Sequence, residues 1–203
     1  VSQLESQFAP FWLGEPPPAT PSCAVPAFNL DEVHRLQTQL FRDAEKVLGP
    51  CVHGCTIEPA RFVVGLTGLA RRVGGVITIH LDRMAAMDWE SCVAELGHEL
   101  VHALDGLTGE PTWLEEGMAC AFGVGQAAAM FGRVPMYRAP GAYREALKMV
   151  ASIPDQFAVV KALRAQGIPM CRVTPQRLMA AAPGIDEVLA LKLCERWTCN
   201  TTA

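Results

Sequence analysis

The chain has no surplus of positive charge. Its 17 lysines and arginines face 21 acids, for a net charge of −4, so no basic stripe exists to neutralise phosphates and nucleic-acid binding is excluded. No apolar run reaches the roughly 20 residues that a helical membrane span needs. Paired CxxC spacing is missing too, so a zinc ribbon is not expected. The opening VSQLESQFAPFWLGEPPPATPS has neither a basic n-region nor a continuous apolar h-region, and no signal peptide is visible in it. Tyrosine is scarce, with two residues, and aromatics make up 7% of the chain. No internal repeat is found.

Apolar residues are plentiful, at half of the 203 positions, enough for one sizeable core. Eight cysteines point to a secreted or periplasmic setting with up to four disulfides, and otherwise to buried thiols. Cys51 and Cys55 flank His53 in a turn, read as a disulfide-bearing turn rather than a metal knuckle. Cys194 and Cys199 are placed to close a small loop.

Residues 1–28 form a proline-rich arm, with Pro16-Pro17-Pro18, Pro21 and Pro26, expected to run extended over the surface. Its patch of Phe8, Phe11, Trp12 and Leu13 either docks on the body or lies across a cleft. Residues 29–203 are expected to form one α+β domain, with a site-bearing module over 29–130 and a helical part over 131–203. Val33, Leu36, Leu40, Ala44 and Val47 predict a helix over Asp31–Leu48, stopped by Gly49-Pro50. Strands are predicted at Arg61–Gly65 and Gly75–Leu81, with glycines at the turns. A second helix runs from its N-cap Asp88 to about Asp105, before Gly106. A third starts at Thr112, and the Gly-Ala-rich sequence beyond it, with Pro135, breaks the pattern. Further helices are expected over Tyr143–Ile153, Pro154–Gln166, Thr174–Ala182 and Ile185–Trp197.

The chemistry concentrates in GHELVHALDG, residues 97–106. His98 and His102, four apart on one helix, project from the same face, so both imidazoles can reach one zinc ion. Glu99 is offset by about 100° and is placed to hold a metal-bound water as general base without ligating the metal. Val93, Leu96, Leu100 and Leu104 form the apolar face that anchors the helix. Downstream, Thr112-Trp113-Leu114-Glu115 fits a capping box in which Glu115 reaches back to the Thr112 backbone. Glu116 then points elsewhere and is free to be the third ligand.

The two stretches together, HELVH and Trp113-Leu114-Glu115-Glu116-Gly117-Met118-Ala119, resemble the gluzincin zinc peptidases, whose pattern is HExxH followed by a helix with a W-L-x-E-G-x-A-like segment. The resemblance spans roughly residues 88–122 and implies a zincin-like fold. It also implies one catalytic Zn2+ held by His98, His102 and Glu116, and a peptide or protein substrate cleaved by water. The ligand glutamate of the family precedes the glycine, which again selects Glu116. Two histidines and one glutamate leave a coordination position for water, the hallmark of a catalytic zinc.

Two family features are not met in the expected places. Several gluzincins carry an aspartate four residues after the ligand glutamate, orienting a zinc histidine; here that residue is Cys120. Asp105 and Glu95 are the local alternatives as orienting partners. Cys92 and Cys120, on the two helices, are either bridged or small buried apolar residues. The donor to the oxyanion is expected from Tyr143 or Tyr137, with Tyr143 preferred because it opens a helix. His80 and His34 are read as surface or satisfied core residues. The strand Val76–Leu81 is a candidate edge for pairing with an extended substrate. A zinc-binding module without turnover is the alternative. A third reading resembles bacterial regulatory metallopeptidases that cleave a repressor, and it implies reduced thiols.

Overall fold

The computed structural model describes residues 25–51, 54, 56–65, 69–132 and 141–198. Most of the proline-rich arm, together with Tyr137, His53, Cys23, Cys55 and Cys199, lies outside the described residues. The fold is α+β and mostly helical.

Helix α1 (Leu30–Leu48) starts at Asn29, whose side chain accepts from the Glu32 N–H. Its buried stripe is Val33, Leu36, Leu40, Ala44 and Leu48. Four short strands follow: β1 (Thr56–Ile57), β2 (Arg61–Phe62), β3 (Leu69–Val73) and β4 (Val76–Leu81). Gly74 and Gly75 both have positive φ, 59° and 87°, the backbone that a two-residue hairpin turn needs. They fold β3 antiparallel onto β4 with Ala70 opposite Ile79. On its other side β4 pairs in parallel with β1 and β2.

Val76–Leu81 is therefore the central strand of a mixed sheet and not an edge. Sequence pattern missed this because β1 and β3 are short and not apolar enough to register as strands. Within β4 the expected alternation holds, with Ile77, Ile79 and Leu81 buried.

Helix α2 (Arg83–Met87) leads into α3 (Trp89–Leu104), capped as expected by Asp88, whose carboxylate accepts from the Ser91 N–H. Helix α4 (Trp113–Phe131) starts at Thr112 and runs for 19 residues. The Gly-Ala-rich stretch continues this helix instead of breaking it, because the small residues serve helix contact. A Cβ added to Gly123 would lie 2.2 Å from the Ala94 carbonyl oxygen, and one on Gly117 would lie 2.5 Å from Val150 Cγ1. Helices α3 and α4 thus cross nearly backbone to backbone.

The C-terminal part holds α5 (Gly141–Ala151), α6 (Gln156–Arg164), α7 (Pro175–Ala181) and α8 (Glu187–Cys194). The last helix stops short of the expected Trp197. Residues beyond it extend: Glu195 O accepts from the Trp113 N–H, Trp197 N–H donates to Pro111 O, and Arg196 bridges Thr112. This tail is sewn to the start of α4.

Two apolar clusters meet along α3. Leu36, Ile77, Ile79, Leu96 and Leu100 fill the space between sheet, α1 and α3. Val101, Leu104, Leu114, Met118, Val150 and Leu193 join α3 and α4 to the C-terminal helices. The described cysteines, Cys51, Cys92, Cys120, Cys171 and Cys194, are free thiols, so Cys92 and Cys120 are not bridged. Cys92 is one of the small buried apolar residues, and burial raises its thiol pKa.

Candidate metal centre

Helix α3 presents His98 and His102 one turn apart, and α4 crosses them with Glu115 and Glu116 in its first turn. His98, His102 and Glu116 offer one ligand atom each within 4.8 Å of one another. Nε2 of His98 lies 3.2 Å from Nε2 of His102. The Glu116 carboxylate lies 3.3 Å from the former and 3.6 Å from the latter. Ligand atoms held about 2.0–2.1 Å from one tetrahedral ion stand roughly 3.3 Å apart. The two imidazole nitrogens meet that spacing, and the carboxylate approaches each with a different oxygen, Oε2 towards His98 and Oε1 towards His102.

The donor chemistry fits a cation as well. Glu115 Oε1 lies 2.8 Å from Nδ1 of His102. A carboxylate accepts, so Nδ1 carries the hydrogen and directs the Nε2 lone pair at the cluster. Oε2 of Glu116 is buried without a hydrogen-bond partner among the described residues. Burial alone would depress the His102 pKa, yet the charges of Glu116 and Glu115 prevail and raise it to about 9. Burial likewise resists ionisation of Glu116, but His102 and His98 hold its pKa below the ordinary value. A pocket whose carboxylates favour positive charge on a buried imidazole is one that a divalent cation can occupy instead.

Glu99 lies beside the cluster, and its Oε2 accepts the Ala70 N–H of β3 at 2.7 Å. This bond orients the carboxylate; among the described residues no strand pairs with the outer edge of β3. None of His98, Glu99, His102, Glu115 and Glu116 is more than 7% exposed.

Two expectations are corrected at this point. Thr112 does cap α4, its hydroxyl accepting from the Glu115 N–H, but the Glu115 side chain does not close a capping box. It turns to His102, because a buried imidazole N–H is a better partner for a carboxylate than a backbone N–H at a helix start. The orienting carboxylate that the sequence sought at Asp105 or Glu95 is therefore Glu115. Asp105 instead accepts from Arg164 Nε at 2.8 Å and from the Met170 N–H. Glu95 accepts from the Asp82 N–H, and burial pushes its pKa up to about 8.

Around His98 the partner is different. Cys120 Sγ lies 3.7 Å from its Nδ1. Tyr143, on α5, packs edge-on against the His98 ring with centroids 5.8 Å apart, while Tyr137 lies outside the described residues. His34 contacts the Ala60 carbonyl oxygen, as a satisfied residue would, whereas Nδ1 of His80 is buried without a partner among the described residues.

Sequence reasoning missed Trp197 and Arg164. Neither carries a local signal, since each acts on residues about 60 to 116 positions away.

Comparison with protein-family models, with curated proteins and with solved structures finds no match.

Proposed function

We propose that this protein is a zinc-dependent peptidase of the gluzincin type. His98, His102 and Glu116 would hold one Zn2+, which when bound supplies Lewis acidity and an activated water. Glu99 would act as the general base, holding the proton of the attacking water and delivering it to the leaving amine. The Ala70 N–H fixes the Glu99 carboxylate through one oxygen, leaving the other for the proton. Glu115 holds His102 in the tautomer that ligation needs. Tyr143, whose ring packs against His98, would be the donor to the oxyanion. The outer edge of β3, rather than β4, is the edge at which an extended peptide would add as a strand.

The observation that carries this reading is the mutual spacing of two imidazole nitrogens and a carboxylate at 3.2, 3.3 and 3.6 Å, with a glutamate following the first histidine. Elemental analysis should give about one zinc per chain, lost in a His98→Ala/Glu116→Ala double variant. Glu99→Gln should keep the zinc and lower peptide hydrolysis by at least roughly a hundredfold. A chain that takes up no zinc after supplementation would refute the proposal. The alternative, a zinc-binding module without turnover, draws on Cys120 standing beside His98 where several gluzincins have a carboxylate. It requires equal hydrolysis, or none, in the wild type and Glu99→Gln.

A further inference from the structure

We propose that Trp197, together with Tyr143, forms the wall that receives an apolar, preferably aromatic, side chain of the molecule bound at the metal centre. The inference rests on the zinc-peptidase reading and names its substrate class. Aromatic rings run outward from the metal ligands in a continuous series. His98 meets Tyr143 at 5.8 Å, Tyr143 meets Trp197 at 5.0 Å with the planes tilted 43°, and Trp197 meets Trp113 at 4.5 Å. Lys192 caps the far end, its Nζ 4.6 Å above the Trp113 ring.

The rings in this series differ in burial, and the difference assigns their roles. Trp113 is buried and packs the protein; Tyr143 and Trp197 are half-buried. A chain with two tyrosines and four tryptophans places a half-buried tyrosine against a ligand histidine and a half-buried tryptophan against that tyrosine.

Trp197 is also held rigidly. Its N–H donates to Pro111 O at 2.8 Å, and the Trp113 N–H donates to Glu195 O at 3.1 Å. Both bonds tie the indole's backbone to the start of α4, the turn that carries Glu115 and Glu116. The indole is therefore fixed in the same frame as the ligand glutamate. A preorganised aromatic surface binds a third ring with little ordering cost and gives a polar side chain nothing in return for its lost water.

The test is a pair of zinc-chelating probes that differ in one side chain, acetohydroxamic acid and phenylacetohydroxamic acid. Their binding to the zinc-loaded full chain is measured by isothermal titration calorimetry, with no turnover required. The wild type should bind the phenyl probe at least tenfold more tightly. In Trp197→Ala that ratio should fall below threefold, and in Trp197→Leu, which keeps apolar volume where the alanine variant folds poorly, it should be intermediate. A merely structural role would weaken both probes together and leave the ratio unmoved. Equal wild-type affinity for the two, or an unchanged ratio in both variants, would overturn this inference while the metal site stands. If neither probe binds, the metal reading itself falls and takes the inference with it.

Discussion

Replacing Glu115 by glutamine keeps the shape of the His102 partner and removes its charge. In the wild type Nδ1 of His102 and Oε1 of Glu115 are 2.8 Å apart, and both residues are buried. Little water screens the pair, so the carboxylate raises the basicity of the Nε2 that would ligate the proposed metal. Loss of such a partner weakens metal binding by roughly 10–100-fold, or about 1.4–2.7 kcal/mol. Competition with a chromogenic chelator at neutral pH should show the zinc Kd rising by one to two decades.

The same substitution leaves a trace in chelator-treated protein. Burial opposes the charge on His102, but Glu116 and Glu115 outweigh it and lift the pKa from 6.5 to about 9. A histidine whose folded pKa is raised gives stability that is fully present below pH 6.5. That stability is lost as pH rises through about 9. At about 1.36 kcal/mol per unit, the wild-type loss across this window is on the order of 3 kcal/mol at most. Urea unfolding of metal-free protein at several pH values should show that decline, smaller in Glu115→Gln. A zinc Kd unchanged within a factor of about two, or the same pH dependence in both proteins, would refute the coupling of Glu115 to His102.

Three other substitutions probe the frame and the chemistry. Arg164 uses all five of its N–H donors, on Asp105, Leu104 O, Leu48 O, Gly49 O and Pro50 O. Arg164→Met should therefore cost about 3–5 kcal/mol in denaturant unfolding by stranding a buried carboxylate, and a loss under about 1 kcal/mol would contradict the assigned role. Gly123→Ala drives a methyl to 2.2 Å from the Ala94 carbonyl oxygen; separating the helices should cost roughly 1–3 kcal/mol and weaken zinc binding, so thermal melting and chelator competition should shift together. Tyr143→Phe should lower kcat with little change in KM if its hydroxyl is the proposed oxyanion donor; a change confined to KM would remove it from that role.

Local patterns carried the parts of this protein that are local. The Asp88 cap, the apolar stripe of α3 and the HExxH spacing lie within one helix, and the structure places them as the sequence predicts. The choice of Glu116 over Glu115 rested on a capping box; the structure brings Glu116 to the histidines, yet Glu115 has a different task from the one expected. That task depends on the crossing of two helices, which no spacing encodes. The central position of β4 was hidden for a similar reason, since of its partners only β2 had a strand signal, while β1 is two residues long and β3 carries two arginines in its five. The small residues after Gly117 read as a helix breaker in isolation, while in the fold they are what allows α4 to approach α3.

The two consecutive glutamates explain why so much of the fold is spent on fixing the rotation of α4. Glu115 meets His102 at Nδ1 and Glu116 meets it at Nε2, at 2.8 and 3.6 Å. One imidazole is clamped from both sides by neighbours that point about 100° apart around their helix. Turning α4 by a single residue would carry Glu116 off the cluster and break the contact between Glu115 and Nδ1 of His102. Three separate contacts oppose that rotation: the Gly123 crossing with α3, the Gly117 crossing with α5, and the tail bonded at Trp113 and Pro111. They lie at the start, the first turns and the middle of α4, so none alone could set both its angle and its height. The conformation that orients His102 through Glu115 is the same one that brings Glu116 to both histidines, which is how a pair of adjacent acids would serve the proposed metal site in two different capacities.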